Sequence, residues 1–292
     1  MTDGDGDQRP TISFATHGKI GLLLIVAGWA ANWFLPGPRT HIFFAPLWVG
    51  FALSVDALVL LRTGTSIITR SYRSFVLLFV LSAPVWWTFE LFNLRTQNWI
   101  YLGRELFTDF EFFLLSTISF STVMPAVFEA AELVASFRWT KRLTGGVKLG
   151  ESRALRATFL ALGVTSLALV LIWPNTYYPL VWGVLFFFCE PVNQGLRRPS
   201  LFRYLGKGDW RPVVSLALGA LLCGFFWELW NMYSYPKWTY DTPGVNWAHL
   251  FEMPALGYIG YLPFGLELYS IASLLSGREF VRFEAMEPFP GG

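Results

Sequence analysis

An all-α polytopic integral membrane protein, with eight transmembrane helices as two tandem parallel four-helix repeats and both termini cytoplasmic, is the fold class this sequence predicts. Three observations carry it. Of the 292 residues, 54% are hydrophobic and only 14% are charged, against roughly a quarter charged in a soluble domain. Eight stretches approach the about 20 apolar residues a helix needs to cross a bilayer core. The chain also matches itself at an offset near 138 residues, a duplication that has to be settled before any motif is weighed.

The spans run 18–35, 42–61, 73–93, 111–136, 154–173, 177–193, 211–233 and 250–275, between charged or Pro/Gly-rich breaks. Glu129 and Glu132 interrupt the fourth, and Glu252 and Glu267 the eighth. The first could pass for a secretory signal, but its leading segment is acidic (Asp3, Asp5, Asp7) and a later helix matches it, so it is kept as a span. Eighteen of the 22 Lys and Arg residues, Arg9 among them, fall in the two tails and in the second-to-third, fourth-to-fifth and sixth-to-seventh loops. Basic loops face the cytoplasm, which puts both termini there and suits a bacterial-type inner membrane. The resulting organisation is a tail at 1–17, a repeat at 18–137, a basic linker at 138–153, a second repeat at 154–276 and a tail at 277–292.

The repeat is read from short matches. Phe89 to Asn93 is FELFN and Trp227 to Asn231 is WELWN; Trp99 and Tyr101 correspond to Trp238 and Tyr240. Pro36, Pro125 and Glu129 fall on Pro174, Pro263 and Glu267. With a four-residue shift, Asp56 and Ser66 fall on Glu190 and Ser200. An even number of crossings per unit keeps both copies in the same orientation, so a shared cleft is expected on an axis along the membrane normal.

Intramembrane acids call for a functional hypothesis. Glu90 with Asn93, and Glu228 with Asn231, are three residues apart, which puts each carboxyl and amide on one helix face. With Trp99, Tyr101, Trp227, Trp230, Trp238 and Tyr240 they form either an aromatic belt with interfacial carboxylates or an aromatic-walled pocket with an acid at its rim. Asp56 and Glu190, nearer mid-depth, serve either an interhelical hydrogen bond, with Asn193 a candidate partner of Glu190, or proton handling. Glu129 and Glu267 sit low, where Arg138 or Arg278 would neutralise them. His249 reads as a solvated loop residue. Two cysteines and three histidines fit neither a disulfide scaffold nor a metal or haem centre, no nucleotide fingerprint is present, and a net charge of +2 without a basic tract offers nothing to nucleic acid. No cofactor and no metal are expected.

The order Trp227-Glu228, then Trp238-Thr239-Tyr240-Asp241, then Pro254, resembles the membrane-embedded lycopene cyclase domains of carotenoid biosynthesis, built from small multi-helix units that occur as two subunits or a fused tandem. That family pattern has glutamates shortly after the proline. Here the residues are Ala255-Leu256-Gly257, and Glu252 is the nearest substitute. The resemblance implies a long apolar isoprenoid or carotenoid as ligand, entering from the membrane lipid, and a cyclisation or isomerisation started by a desolvated carboxyl group, Glu228, Glu252 or Glu90. The aromatic faces would steady a cation. Two other classes stay open: a proton-coupled transporter of a lipid-like solute using Asp56 and Glu190, and a non-catalytic pigment- or lipid-binding subunit. A homo-oligomer or a larger membrane complex is compatible with each.

Overall fold

The computed structural model describes residues 13–150 and 152–284. Asp3, Asp5, Asp7 and Arg9 of the amino-terminal tail, and the far end of the carboxyl tail, lie outside the described residues. The fold is helical, and six helical stretches are long and apolar enough to cross a membrane. This is the architecture of a multi-pass membrane protein.

The order begins with α1 (Thr16–Phe34), α2 (Thr40–Thr63), the single turn α3 (Ile67–Arg70) and α4 (Tyr72–Thr96). Strand β1 (Trp99–Leu102) leads to α5 (Asp109–Phe120) and α6 (Val123–Ala135). Then come α7 (Arg153–Ile172), the turn α8 (Pro174–Tyr177), α9 (Val181–Gly195), the short α10 (Leu201–Leu205) and α11 (Arg211–Asn231). Strands β2 (Lys237–Tyr240), β3 (His249–Leu250) and β4 (Met253–Pro254), a 3₁₀ segment Ala255–Gly260 and α12 (Tyr261–Ser276) complete it. The six apolar stretches are α2, α4, α5 with α6, α7, α11, and the 3₁₀ segment with α12. The stretches predicted as the first and sixth spans form α1, of 19 residues, and α9, of 15, neither of which is among the six.

The predicted fourth span is two helices. Ser82 of α4 explains the break: its hydroxyl donates to Phe120 O at 2.6 Å and accepts from Met124 N at 3.0 Å. One buried side chain thereby satisfies both main-chain groups freed at the junction, where lipid would satisfy neither. Pro125 and Pro263 each take the third position of the helix that follows, α6 and α12, where a main-chain donor has no intrahelical partner anyway.

Packing is built outward from α6, every residue of which is buried. It lies against α2, α4 and α11, while α12 lies against α9 and α11. Helices α1 and α7 flank α2 and α9 from outside, and Leu22, Leu23, Val26 and Val164 are exposed on them, as lipid-facing residues would be. Gly21 and Gly50 let α1 and α2 touch backbone to backbone, since a Cβ on either would overlap the other's main chain. At the opposite end from the strands, residues 278–284 cross the bundle as an irregular strap. Phe280, Val281 and Phe283 are buried in it. Arg70 grips Glu132 through both nitrogens at 2.5 and 2.7 Å and donates to Phe280 O at 3.1 Å. Tyr204 and Tyr269 both donate to Glu279.

Candidate functional site

The site is made at the ends of α4 and α11, where each helix face carries a glutamate and, one turn on, an asparagine. Asn93 Nδ2 donates to Trp99 O at 2.8 Å and its Oδ1 accepts from Trp99 N at 3.2 Å. Asn231 grips Trp238 in the same way, at 2.7 and 3.0 Å. Each amide therefore acts as a strand neighbour and pins the start of β1 or β2. The two strands pair antiparallel and reciprocally: Trp99 faces Tyr240, Tyr101 faces Trp238, and Ile100 faces Thr239.

This pairing turns both tyrosines back over the helix ends. Tyr101 Oη donates to Glu90 Oε1 and Tyr240 Oη to Glu228 Oε1, each at 2.6 Å. Glu90 Oε1 also accepts from Trp99 Nε1 at 3.2 Å and from Trp86 Nε1 at 3.0 Å. Glu228 Oε1 accepts from Tyr261 Oη at 2.9 Å, and Trp238 Nε1 donates to Tyr240 Oη at 2.8 Å. Glu228 is fully buried, and its Oε2 has no partner among the described residues. Burial first, and the neighbouring carboxylate next, hold the phenols of Tyr101 and Tyr240 well above the usual tyrosine range.

Between the two corners lies an apolar cavity of about 150 Å³. Trp86, Trp99, Tyr101, Trp182, Trp227, Trp238, Tyr240, Tyr261 and Phe264 supply its aromatic wall. Trp227 stacks on Tyr261 with ring centres 5.9 Å apart. An apolar cavity of this size holds about one six-membered ring.

Of the residues the sequence singled out, Trp99, Tyr101, Trp227, Trp238 and Tyr240 line the cavity. Glu90 and Glu228 stand one layer behind, each reached through a tyrosine hydroxyl. Asn93 and Asn231 position the strands. Trp230 is misplaced by the sequence reading: it is 1% exposed, packed on Trp48 and Phe226 in the core and absent from the cavity wall. Glu252, at the β3–β4 turn, is ion-paired with Lys237. No acid follows Pro254 on the wall; Gly257 and Gly260 line it instead.

Asp56 and Glu190 anchor short helices. Asp56 Oδ1 accepts from Ile68 N at 3.0 Å and its Oδ2 lies 3.0 Å from His17 Nε2. Glu190 Oε1 accepts from Phe202 N at 2.9 Å and Ser200 Oγ at 2.6 Å, and its Oε2 accepts from Ser270 Oγ at 2.9 Å. Asn193 donates to Ser270 O at 2.7 Å and not to Glu190, so the expected amide–carboxyl pair is corrected to a contact through Ser270. The expected neutralisation of the low glutamates by Arg138 or Arg278 is also corrected. Glu129 is fully buried and faces the Asp56 carboxyl group and not either of those arginines, and Glu267 accepts from Leu185 N at 2.6 Å. His249 is exposed and bonds Asn246.

Sequence reasoning missed Trp86 and Tyr261, and a signal for them existed. At the 138-residue offset Trp86 corresponds to Gly224 and Val123 to Tyr261. A Cβ at Gly224 would overlap the Tyr261 ring. The large donor comes from α4 in one corner and from α12 in the other, and the positions matching them at the offset hold Gly224 and Val123. No family model, curated protein or solved structure matches the chain.

Proposed function

We propose that this chain is a lycopene-cyclase-like integral membrane protein that holds the end of a long isoprenoid or carotenoid in the cavity and isomerises it by acid-initiated ring closure. The observation that carries this reading is the aromatic cavity whose tyrosine hydroxyls contact two carboxyl groups, Glu228 fully buried and Glu90 partly so. A proton moved along the 2.6 Å Glu228–Tyr240 contact reaches the cavity wall. Added to a terminal double bond, it leaves a tertiary cation; the chain closes on that cation, and loss of a neighbouring proton to the second carboxylate restores the double bond. Atoms balance without a redox cofactor, and Trp227, Trp238 and Tyr261 face the cation with their π systems. Glu228 fits the donor role better than Glu90, because its carboxyl group is fully buried with Oε2 sealed from water, whereas Glu90 keeps some exposure.

The architecture proposed with this function is eight spans in two tandem like-oriented units, α1 to α6 and α7 to α12, both termini cytoplasmic, in a bacterial-type inner membrane. It is supported by the reciprocal β1–β2 pairing, the matching asparagine clamps and the matching anchors at Asp56 and Glu190, together with the charge asymmetry of the loops.

Expression in a lycopene-accumulating bacterium, followed by chromatography of the pigments, tests the reaction. Cyclised products are expected, reduced at least about tenfold by Glu228→Gln and less by Glu90→Gln. Unchanged lycopene beside folded, membrane-inserted protein overturns the catalytic reading.

A further inference from the structure

Away from the cavity, at the strap end of the bundle, four arginines adjoin. Arg153 and Arg156 stand in the first turn of α7, and Arg197 and Arg198 in the turn that follows α9. The two helices pack side by side, and a Cβ built on Gly195, the last residue of α9, would lie 3.7 Å from Arg156 Nη1. Arg153 and Arg197 are exposed, Arg156 and Arg198 half-exposed. None of the four guanidinium groups has a hydrogen bond or ion pair among the described residues, whereas Arg70, Arg104 and Arg211 are each paired with a carboxylate. Acids of this end are engaged elsewhere: Asp209 by Arg211, Glu279 by Tyr204 and Tyr269, and Glu190 by Ser200 and Ser270.

Like charges this close repel, and water and salt screen them only in part. The first turn of α7 carries no acid to offset them. The repulsion belongs to one half of the chain: at the 138-residue offset, and at the four-residue-shifted one, the matching positions hold Ala15, Gly18, Thr63 and Gly64. The surroundings distinguish one kind of anion from another. Leu160 and Val164, seven and eleven residues beyond Arg153, share its face of α7 and are 39% and 60% exposed. Val192 and Leu196 are exposed at the end of α9. An apolar, lipid-facing surface therefore begins where the arginines end. A soluble phosphate uses the charge alone, whereas a phospholipid uses both, its phosphate on the guanidinium groups and an acyl chain along the helix.

We propose that the strap end of α7 and the turn after α9 bind an anionic phospholipid of the surrounding membrane, with Arg153, Arg156, Arg197 and Arg198 on the headgroup and the exposed face of α7 along an acyl chain. The site is separate from the aromatic cavity and independent of the reaction proposed there. It fastens α7, an outer helix of the bundle, to one leaflet.

The test is native mass spectrometry of the full chain released from detergent micelles that hold equal amounts of phosphatidylglycerol and phosphatidylcholine with the same acyl chains. Phosphatidylglycerol is expected to be retained about tenfold over phosphatidylcholine, a preference that one or two basic residues at a lipid surface supply. Arg153→Gln with Arg156→Gln, and Arg197→Gln with Arg198→Gln, should each lower that ratio, and all four together should bring it near one. Arg138→Gln with Arg142→Gln, in the basic linker at the same end, should leave it unchanged. Equal retention of the two lipids by the unaltered protein, a preference that survives the four substitutions, or an equal loss from the linker pair overturns the proposal. Displacement of the bound lipid by glycerophosphoglycerol, the same headgroup without chains, at matched concentration overturns the assignment to lipid in favour of a free phosphate.

Discussion

The corner at Glu90 and the corner at Glu228 share a clamp, a strand and a phenol, yet differ in what closes them. Around Glu90 the donor from outside the strand is an indole on the same helix, one turn before the carboxylate, and the glutamate keeps some exposure. Around Glu228 it is a phenol from a neighbouring helix, and the carboxylate is sealed with one oxygen free. A local donor fastens an acid to its own helix, whereas a donor from another helix makes the acid part of an interhelical contact. The lesson is that matching backbone geometry at two places need not mean equal chemistry. The corner whose spare oxygen is sealed from water is where the proposed proton transfer is to be sought.

Substitutions that write one corner's residue into the other break or sharpen this contrast. The largest effect is expected below the corners, where Glu132 stands at the 138-residue offset from Ser270. Glu132→Ser strips Arg70 of its bidentate partner and leaves a mostly buried guanidinium uncompensated, so a loss of about 3–5 kcal/mol is expected, read as the midpoint of thermal unfolding in detergent. Gly224→Ala pushes a methyl into the Tyr261 ring and should cost about 1–3 kcal/mol. Paired with Tyr261→Val it should cost less than the sum of the two single changes, a coupling that a double-mutant cycle measures; additive losses would mean the two residues do not compete for one space. Asn231→Ala removes three hydrogen bonds from a fully buried site and should cost about 2–3 kcal/mol, against about 1 kcal/mol for Asn93→Ala in its half-buried setting; equal losses would erase the asymmetry. The smallest expected effect is none. Tyr101→Phe and Tyr240→Phe should leave the amplitude of the tyrosinate step in an alkaline absorbance titration unchanged, since burial and the adjacent carboxylates oppose ionisation of both phenols until the protein unfolds.

The membrane-spanning helices were legible because apolar length is a property of a single segment. Thr40–Thr63, Tyr72–Thr96 and Arg211–Asn231 lie within a few residues of where hydropathy puts them. Glu90, Asn93, Trp99 and Tyr101 were legible through their counterparts, since a motif that recurs can be recognised without knowing what it touches. What stayed hidden depends on contacts between helices. Nothing in the run Ser119 to Met124 announces a break; the group that permits it, Ser82, lies on another helix. Trp230 shares the WELWN motif with Glu228 but points to Trp48, and helical phase alone did not separate the two. Tyr261 was readable only as half of a reciprocal exchange with Gly224, a signal invisible when positions are compared one at a time.

The strap at residues 278–284 ties together places that correspond. Arg70 and Tyr204 are related by the same four-residue-shifted offset as Asp56 and Glu190, and adjoining strap residues engage both, Glu279 on Tyr204 and Phe280 on Arg70. A single peptide has no twofold symmetry, so it latches the bundle the way a hasp closes two leaves of a door. Any rocking that parts the leaves at that end must first unseat Phe280 and Phe283. Straight passage through to that end of the bundle is thereby opposed.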